Sequence, residues 1–131
     1  MARFKTVLLI EDDEVATFVC KIALEKVEFA EKIVALTNGS DALDYLTSAN
    51  PAEMPEVIFL DINLPAMTGW EFLDQFETID AAVAAKPLIY IMTMSIDPVD
   101  KEKASQHPLL KGFIDKPLRT NGLEKEFNLS R

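Results

Sequence analysis

The sequence predicts an α/β domain, a doubly wound sheet of five parallel strands with helices on both faces. Three observations lead there. Five apolar runs of strand length alternate with segments whose apolar residues recur at helical spacing, which is the pattern of a parallel sheet closed by crossover helices. The central runs are apolar without alternation, as strands buried on both faces are. At 131 residues the chain is one domain long, enough to bury roughly two-thirds of the surface its unfolded form exposes.

The first run, residues 5–10 (KTVLLI), stops at Glu11, Asp12, Asp13 and Glu14. Acids here suit a helix N-terminus, where the helix dipole favours them, and equally a ligand site at the end of a strand. A helix is predicted over 13–29, with Ala16, Val19, Cys20, Ala23, Leu24 and Val27 as one apolar face. Val15, Phe18 and Ile22 form a second stripe at the same period, so one of the two is only partly buried. Residues 32–37 read as the second strand, Asn38-Gly39-Ser40 as a turn, and 40–49 as a helix with Ala42, Leu43 and Leu46 inward, ended by Asn50-Pro51.

The stretch 57–69, VIFLDINLPAMTG, organises the chain. The third strand, 56–60, runs into Asp61, and a Pro and a Gly break the chain before a helix over 69–79. That helix carries Trp70, Phe72, Leu73, Phe76 and Ile79, read as core packing. Residues 88–92 (LIYIM) form the fourth strand and end at Thr93. Asp97-Pro98 starts the next helix, with an N-cap Asp, a Pro at the first helical position and Asp100 in the first turn. Pro108 stops it. Residues 111–114 are the fifth strand, followed by Lys116-Pro117 and a closing helix over 121–129. Five strands fit the flavodoxin-like order 2-1-3-4-5, which makes strands one, three and four neighbours and brings Glu11/Asp12, Asp61 and Thr93 to one crevice.

Composition narrows the function. The 22 acidic and 13 basic residues give a net charge of −9 with no dense basic stretch, which argues against nucleic-acid binding and for protein or cation partners. Cys20 is the only cysteine, so no intramolecular disulfide or Cys-based zinc site forms, and its place on a helix face makes it a core residue. His107, the only histidine, precedes Pro108 and reads as a solvated loop residue. No apolar run approaches the roughly 18 residues of a membrane span, and the N-terminus meets acids too early for a secretory signal. The protein is expected to be soluble and cytoplasmic, a single domain without a separate output domain.

Several carboxylates in one crevice share a proton or bind a cation. Oxygen ligands alone favour Mg²⁺, which keeps waters and recruits substrate phosphate. Lys116 and Thr93 suit phosphoryl oxygens, and Asp61, alone at its strand end, is the candidate nucleophile for an aspartyl phosphate. No GxxxxGK[ST] or GxGxxG loop is present, and the Asp61/Asn63 spacing lacks the Gly and Glu that a calcium loop requires.

IEDDE after the first strand, FLDINLPAMTG after the third, Thr93 after the fourth and Lys116-Pro117 after the fifth together resemble a response-regulator receiver domain of two-component signalling, of the stand-alone chemotaxis type. The resemblance implies that Asp61 accepts a phosphoryl group from a sensor histidine kinase or a histidine phosphotransfer protein. It implies Mg²⁺ held directly by Asp12, Asp61 and the Asn63 main-chain carbonyl, with Glu11 acting through water; Asp13 replaces one of the acidic pair if the strand runs one residue further. Thr93 turns toward the phosphoryl group, Phe113 follows it, and Lys116 bridges to the phosphate.

The output then passes to a downstream protein through the helix after Asp97, the fifth strand and the closing helix. Such a chain is a phospho-acceptor rather than an enzyme, limited to Mg²⁺-dependent self-phosphorylation and dephosphorylation. The alternatives are a phosphorelay intermediate, a phosphate sink, or a small Mg²⁺-dependent aspartyl-phosphate phosphatase; the last normally shows DxDx[TV] and a cap, which this chain lacks. Two positions depart from the family. Phe113 stands where Tyr is frequent, so its rotation registers as packing alone. Met94 stands where a small residue is usual, and is expected to overhang Asp61 and restrict access. If the Val15, Phe18 and Ile22 stripe faces solvent rather than the core, it is expected to receive the phosphodonor.

Overall fold

The computed structural model describes residues 2–94 and 97–128. Its strands are β1 (Phe4–Ile10), β2 (Ala30–Leu36), β3 (Val57–Asp61), β4 (Leu88–Thr93) and β5 (Leu110–Asp115). They are joined by helices α1 (Glu14–Lys26), α2 (Gly39–Ser48), α3 (Gly69–Phe76), α4 (Asp80–Ala85), α5 (Pro98–Gln106) and α6 (Thr120–Glu126), with a short 3₁₀ turn at Pro51–Glu53. The strands form one sheet in the order β2-β1-β3-β4-β5, and every neighbouring pair is parallel. The predicted architecture is therefore the observed one.

Side chains alternate across a strand, so each apolar run feeds two cores. Val7 and Leu9 of β1, with Val57 and Phe59 of β3, pack on one face against Cys20, Ala23 and Leu24 of α1 and Leu123 of α6. Leu8, Ile10, Ile58 and Leu60 point the other way, onto Ala42 and Leu46 of α2 and Phe72, Leu73 and Phe76 of α3. By the same alternation Glu11 continues the Val7/Leu9 row and Asp61 the Val57/Phe59 row, so the two carboxylates emerge on one face. Within the described residues no helix is long and apolar enough to cross a membrane.

The structure corrects three readings. The first helix stops at Lys26 rather than 29, because Glu28 takes a left-handed conformation (φ 50°). The Phe29 N–H then bonds to Leu24 O and the Glu28 N–H to Glu25 O, a helix stop of the Schellman type that seats Phe29 in the core beside Leu24. Such stops usually carry Gly, and Glu gives no signal. Second, the helix after Gly69 ends at Phe76. Thr78 and Ile79 tighten into bonds three residues back, and a separate helix, α4, follows. Its sequence DAAVAA has no apolar period to announce it, and Lys86 in the left-handed region before Pro87 ends it.

Third, His107 is not simply solvated. It is half-buried at the end of α5, its Nδ1 accepts from the Leu109 N–H at 3.2 Å, and its ring stacks on Trp70. Boundaries also move: β2 begins two residues before its predicted start and ends at Leu36, and the closing helix starts at Thr120. Leu129, its predicted end, lies outside the described residues.

Candidate functional site

The C-terminal ends of β1, β3, β4 and β5 converge on a cleft of about 420 Å³ lined by Glu11, Asp12, Asp13, Asp61, Asn63, Thr93, Met94 and Lys116. Each enters from the register of the sheet. Ile10 pairs with Leu60, Asp61 with Met92 and Thr93 with Asp115, so the residues that end the strands are level with one another.

Asp61 is 4% exposed. Its Oδ1 accepts the Asn63 N–H at 3.0 Å, which leaves Oδ2 toward the cleft, 3.2 Å from Lys116 Nζ. The loop after it closes sharply. Gly69 N–H reaches back to Ile62 O at 2.8 Å, and Thr68 and Glu71 form a reciprocal cap that starts α3. Gly69 is needed at that closure, because a Cβ there would lie 2.9 Å from both Asp61 O and Ile62 Cα.

Glu11 is 1% exposed, and Lys116 Nζ approaches its Oε1 to 2.6 Å. At that distance the ammonium is the partner of Oε1 in a close ion pair. The other Glu11 oxygen accepts the Asp13 N–H at 3.1 Å. Burial pushes the Glu11 carboxyl above its usual range despite Lys116 and the Asp13 N–H, and the Asp61 charge adds to the rise. Burial works to lower Lys116, but Glu11 first and then Asp61 outweigh it and raise the ammonium. The pair shares one cation between two crowded acids, and removing that cation leaves charge uncompensated.

Carboxylate oxygens of Glu11, Asp12 and Asp61 lie within 4.8 Å of one another. Asp13 reaches the cleft wall, but its side chain caps α1 by accepting the Val15 N–H at 3.1 Å. The donor set is all hard carboxylate oxygen, which fits Mg²⁺ or a similar hard cation.

Thr93 is buried at the far wall, and its carbonyl accepts the Lys116 N–H at 2.8 Å, which ties the β4 end to the β5–α6 turn. Lys116-Pro117 is a cis peptide. Met94 is 78% exposed on the rim. Phe113 stands apart, half-buried, with Lys101 Nζ 5.8 Å from its ring centre. Of the two α1 stripes, Cys20, Ala23 and Leu24 are buried, whereas Val15, Phe18 and Ile22 are 70%, 64% and 40% exposed. Sequence reasoning missed the Glu11–Lys116 pair, since nothing local links residues 105 positions apart, and it missed the Asn63 amide, whose role depends on how the loop turns.

Residues 7–128 match the family model of the response regulator receiver domain. A two-component response regulator from Cytophaga hutchinsonii is 31% identical, with a TM-score of 0.83 over 95% of this chain and 94% of that one. The probable methanogenesis regulatory protein FilR2 of Methanothrix harundinacea is 28% identical over 121 residues, 91% of this chain and 76% of the relative. The chemotaxis response regulator CheY4 of Vibrio cholerae is 22% identical, with a TM-score of 0.76 over 95% of this chain and 97% of that one, and shares the fold.

Proposed function

The chain belongs to the response regulator receiver domain family, and from that premise we propose that it is a phosphorylation switch whose acceptor is Asp61. The observation that carries the reading is the meeting of Asp61, Glu11, Asp12 and Lys116 in one cleft, with Asp61 Oδ2 turned to the ammonium. An Asp61 oxygen attacks the phosphorus of a phosphohistidine on a sensor histidine kinase or histidine phosphotransfer protein. The new O–P bond forms as the N–P bond breaks, and the imidazole nitrogen leaves with the electron pair and takes a proton. Asp12, Asp61 and the Asn63 carbonyl would hold Mg²⁺ directly and Glu11 through water. When bound, the ion neutralises charge on the transferring phosphoryl group.

This chain's own residues do the rest. Lys116 exchanges part of its contact with Glu11 and Asp61 for a phosphoryl oxygen, and the Thr93 hydroxyl supplies a second donor. Phosphorylation adds up to roughly two negative charges and three acceptor oxygens at a site that already holds acids, so Thr93 and Lys116 are drawn in. The inward turn of Thr93 opens room that Phe113 follows, and the surface of α5, β5 and α6 changes for a downstream protein. Phe113 has no hydroxyl, so packing alone carries its part. Met94 on the rim limits access and so sets phosphorylation and hydrolysis rates. The exposed Val15, Phe18 and Ile22 stripe receives the donor beside the acids.

The test is incubation with acetyl phosphate, with and without Mg²⁺, read by intact mass beside Asp61→Asn. One phosphoryl group gained only with Mg²⁺ and only by the wild type supports the switch; a gain by the variant overturns the assignment of Asp61. Met94→Ala in the same assay accelerates labelling or loss, and unchanged rates remove Met94 from the mechanism. Phe18→Glu slows transfer from a phosphohistidine donor but not from acetyl phosphate.

A further inference from the structure

Between Lys32 and Lys86 the chain carries nine acidic residues and no basic one. Asp61 is buried in the cleft described above, and the other eight, from Asp41 to Asp80, are all exposed. The fold gathers this stretch on one face of the sheet, because α2, α3 and α4 share the core that Leu8, Ile58 and Leu60 supply. A face of one sign attracts a cationic partner and rejects an acidic one.

This face carries a groove of about 520 Å³ between α4 and the connection from α2 to β3. Pro51, Met54 and Pro55 line one side, and Ala81, Ala84 and Ala85 the other. The alanines are spaced to share one side of α4, and their methyl groups are too short to close on the prolines. Pro51 and Pro55 have no N–H, so their wall is apolar, and Met54 is an unbranched thioether that adapts to what packs on it. Glu56 is the one charged residue in the lining. Lys86, directly after α4, lines a separate hollow with Phe76, Val83 and Pro108. Lys5 meets Glu56 through its main-chain N–H and does not line the groove. The groove lies at the start of β3, whereas Asp61 ends that strand, so an occupant leaves the phosphorylation cleft free.

We infer that this groove docks a short basic, amphipathic segment of a partner protein, with an apolar side chain between the prolines and the alanines and its Lys or Arg groups on the carboxylates of Glu53, Glu56 and Asp80. Apolar anchoring in a groove supplies the affinity, and the acidic surround selects the sign of the partner. The site goes beyond the phosphorylation switch, since none of the switch residues takes part in it.

The test is fluorescence anisotropy with a labelled dodecapeptide of Lys, Leu and Gly, a counterpart with each Lys replaced by Asp, and another with each Leu replaced by Gly. The wild type binds the first at least tenfold more tightly than either counterpart, and the affinity falls as salt rises. Ala81→Gln combined with Ala84→Gln fills the groove without changing the charge and lowers affinity at least tenfold, with a melting temperature near that of the wild type because Gln suits a helix. Glu53→Gln combined with Glu56→Gln has the same effect. Glu25→Gln combined with Glu31→Gln removes as much exposed charge from α1 and β2 and leaves the affinity within about twofold of wild type. Equal binding of either counterpart peptide, full affinity in the groove-filled variant, or an equal loss in the Glu25 and Glu31 variant overturns the inference. A wild-type dimer in sedimentation that the groove-filling substitutions break assigns the groove to a second copy instead. The assay contains no phosphoryl donor, so its failure sinks the docking site alone, and failure of the acetyl phosphate labelling sinks the switch alone.

Discussion

Gly69→Ala puts a methyl group against the backbone that carries Asp61. The added Cβ lies 2.9 Å from Asp61 O and 2.9 Å from Ile62 Cα, about 0.5 Å short of the 3.4 Å at which ordinary contact begins. Neither neighbour is a side chain that can swing away, and the Gly69 N–H is tied to Ile62 O at 2.8 Å, so the loop and the α3 start must separate together. Overpacking of this kind costs about 1–3 kcal/mol, offset by up to ~1 kcal/mol gained on removing a helical glycine. A net loss of about 1–2 kcal/mol lowers the melting temperature by roughly 3–8 °C in a domain of this size.

Urea unfolding followed by circular dichroism should show that loss with an unchanged m value. Because misplacement of a reacting group by about 1 Å costs up to ~100-fold, acetyl phosphate labelling of Asp61 should slow by about tenfold. Gly39→Ala is the internal control. Its Cβ meets the Met67 Sδ at 2.8 Å, the far end of a flexible side chain, so it loses less than ~1 kcal/mol. A Gly69→Ala protein with wild-type stability and labelling, or one no worse than Gly39→Ala, refutes the reasoning.

Gly122→Ala stabilises the fold by about 0.5–1 kcal/mol, read as a higher urea midpoint, because its Cβ enters open space on a helix. Phe29→Ala costs about 3–5 kcal/mol in the same assay, since the ring is fully buried against Phe4, Phe59 and Phe127. Cys20 is fully buried and its thiol is pushed by burial up to about 11, so at pH 8 a disulfide reagent should titrate it only after unfolding. The folded state holds that proton more tightly than the unfolded state. Cys20 therefore costs no stability below about pH 9 and progressively more as pH rises toward 11. Wild type should lose about 2–3 kcal/mol more than Cys20→Ala across that interval.

The strands follow from local pattern, and their order from the small set of sheet orders that five strands alternating with helices adopt. Runs such as VLLI and VIFL cannot be solvated on either face, so they dictate a sheet covered on both sides, and the alternating helices dictate that its strands are parallel. Asp61, Thr93 and the acids after Ile10 were legible as site candidates because each sits where such a run ends. Chain spacing says nothing, however, about which charges meet across the sheet. The Glu11–Lys116 ion pair, the Asn63 amide on Asp61 and the Trp70–His107 stack all arise from crossovers that bring distant segments level. Local geometry hid itself too where the usual residue is missing, as at Glu28, which ends α1 in a conformation that glycine normally signals. Whether Phe18 faced the core or water was equally undecided by its period, because α1 carries two apolar stripes and only the angle at which it lies on β1 and β3 selects one. The sequence by itself determined the sheet and the residues that end its strands. The tertiary structure decided their partners, because contact between segments far apart in the chain depends on register and helix orientation, which no local pattern encodes.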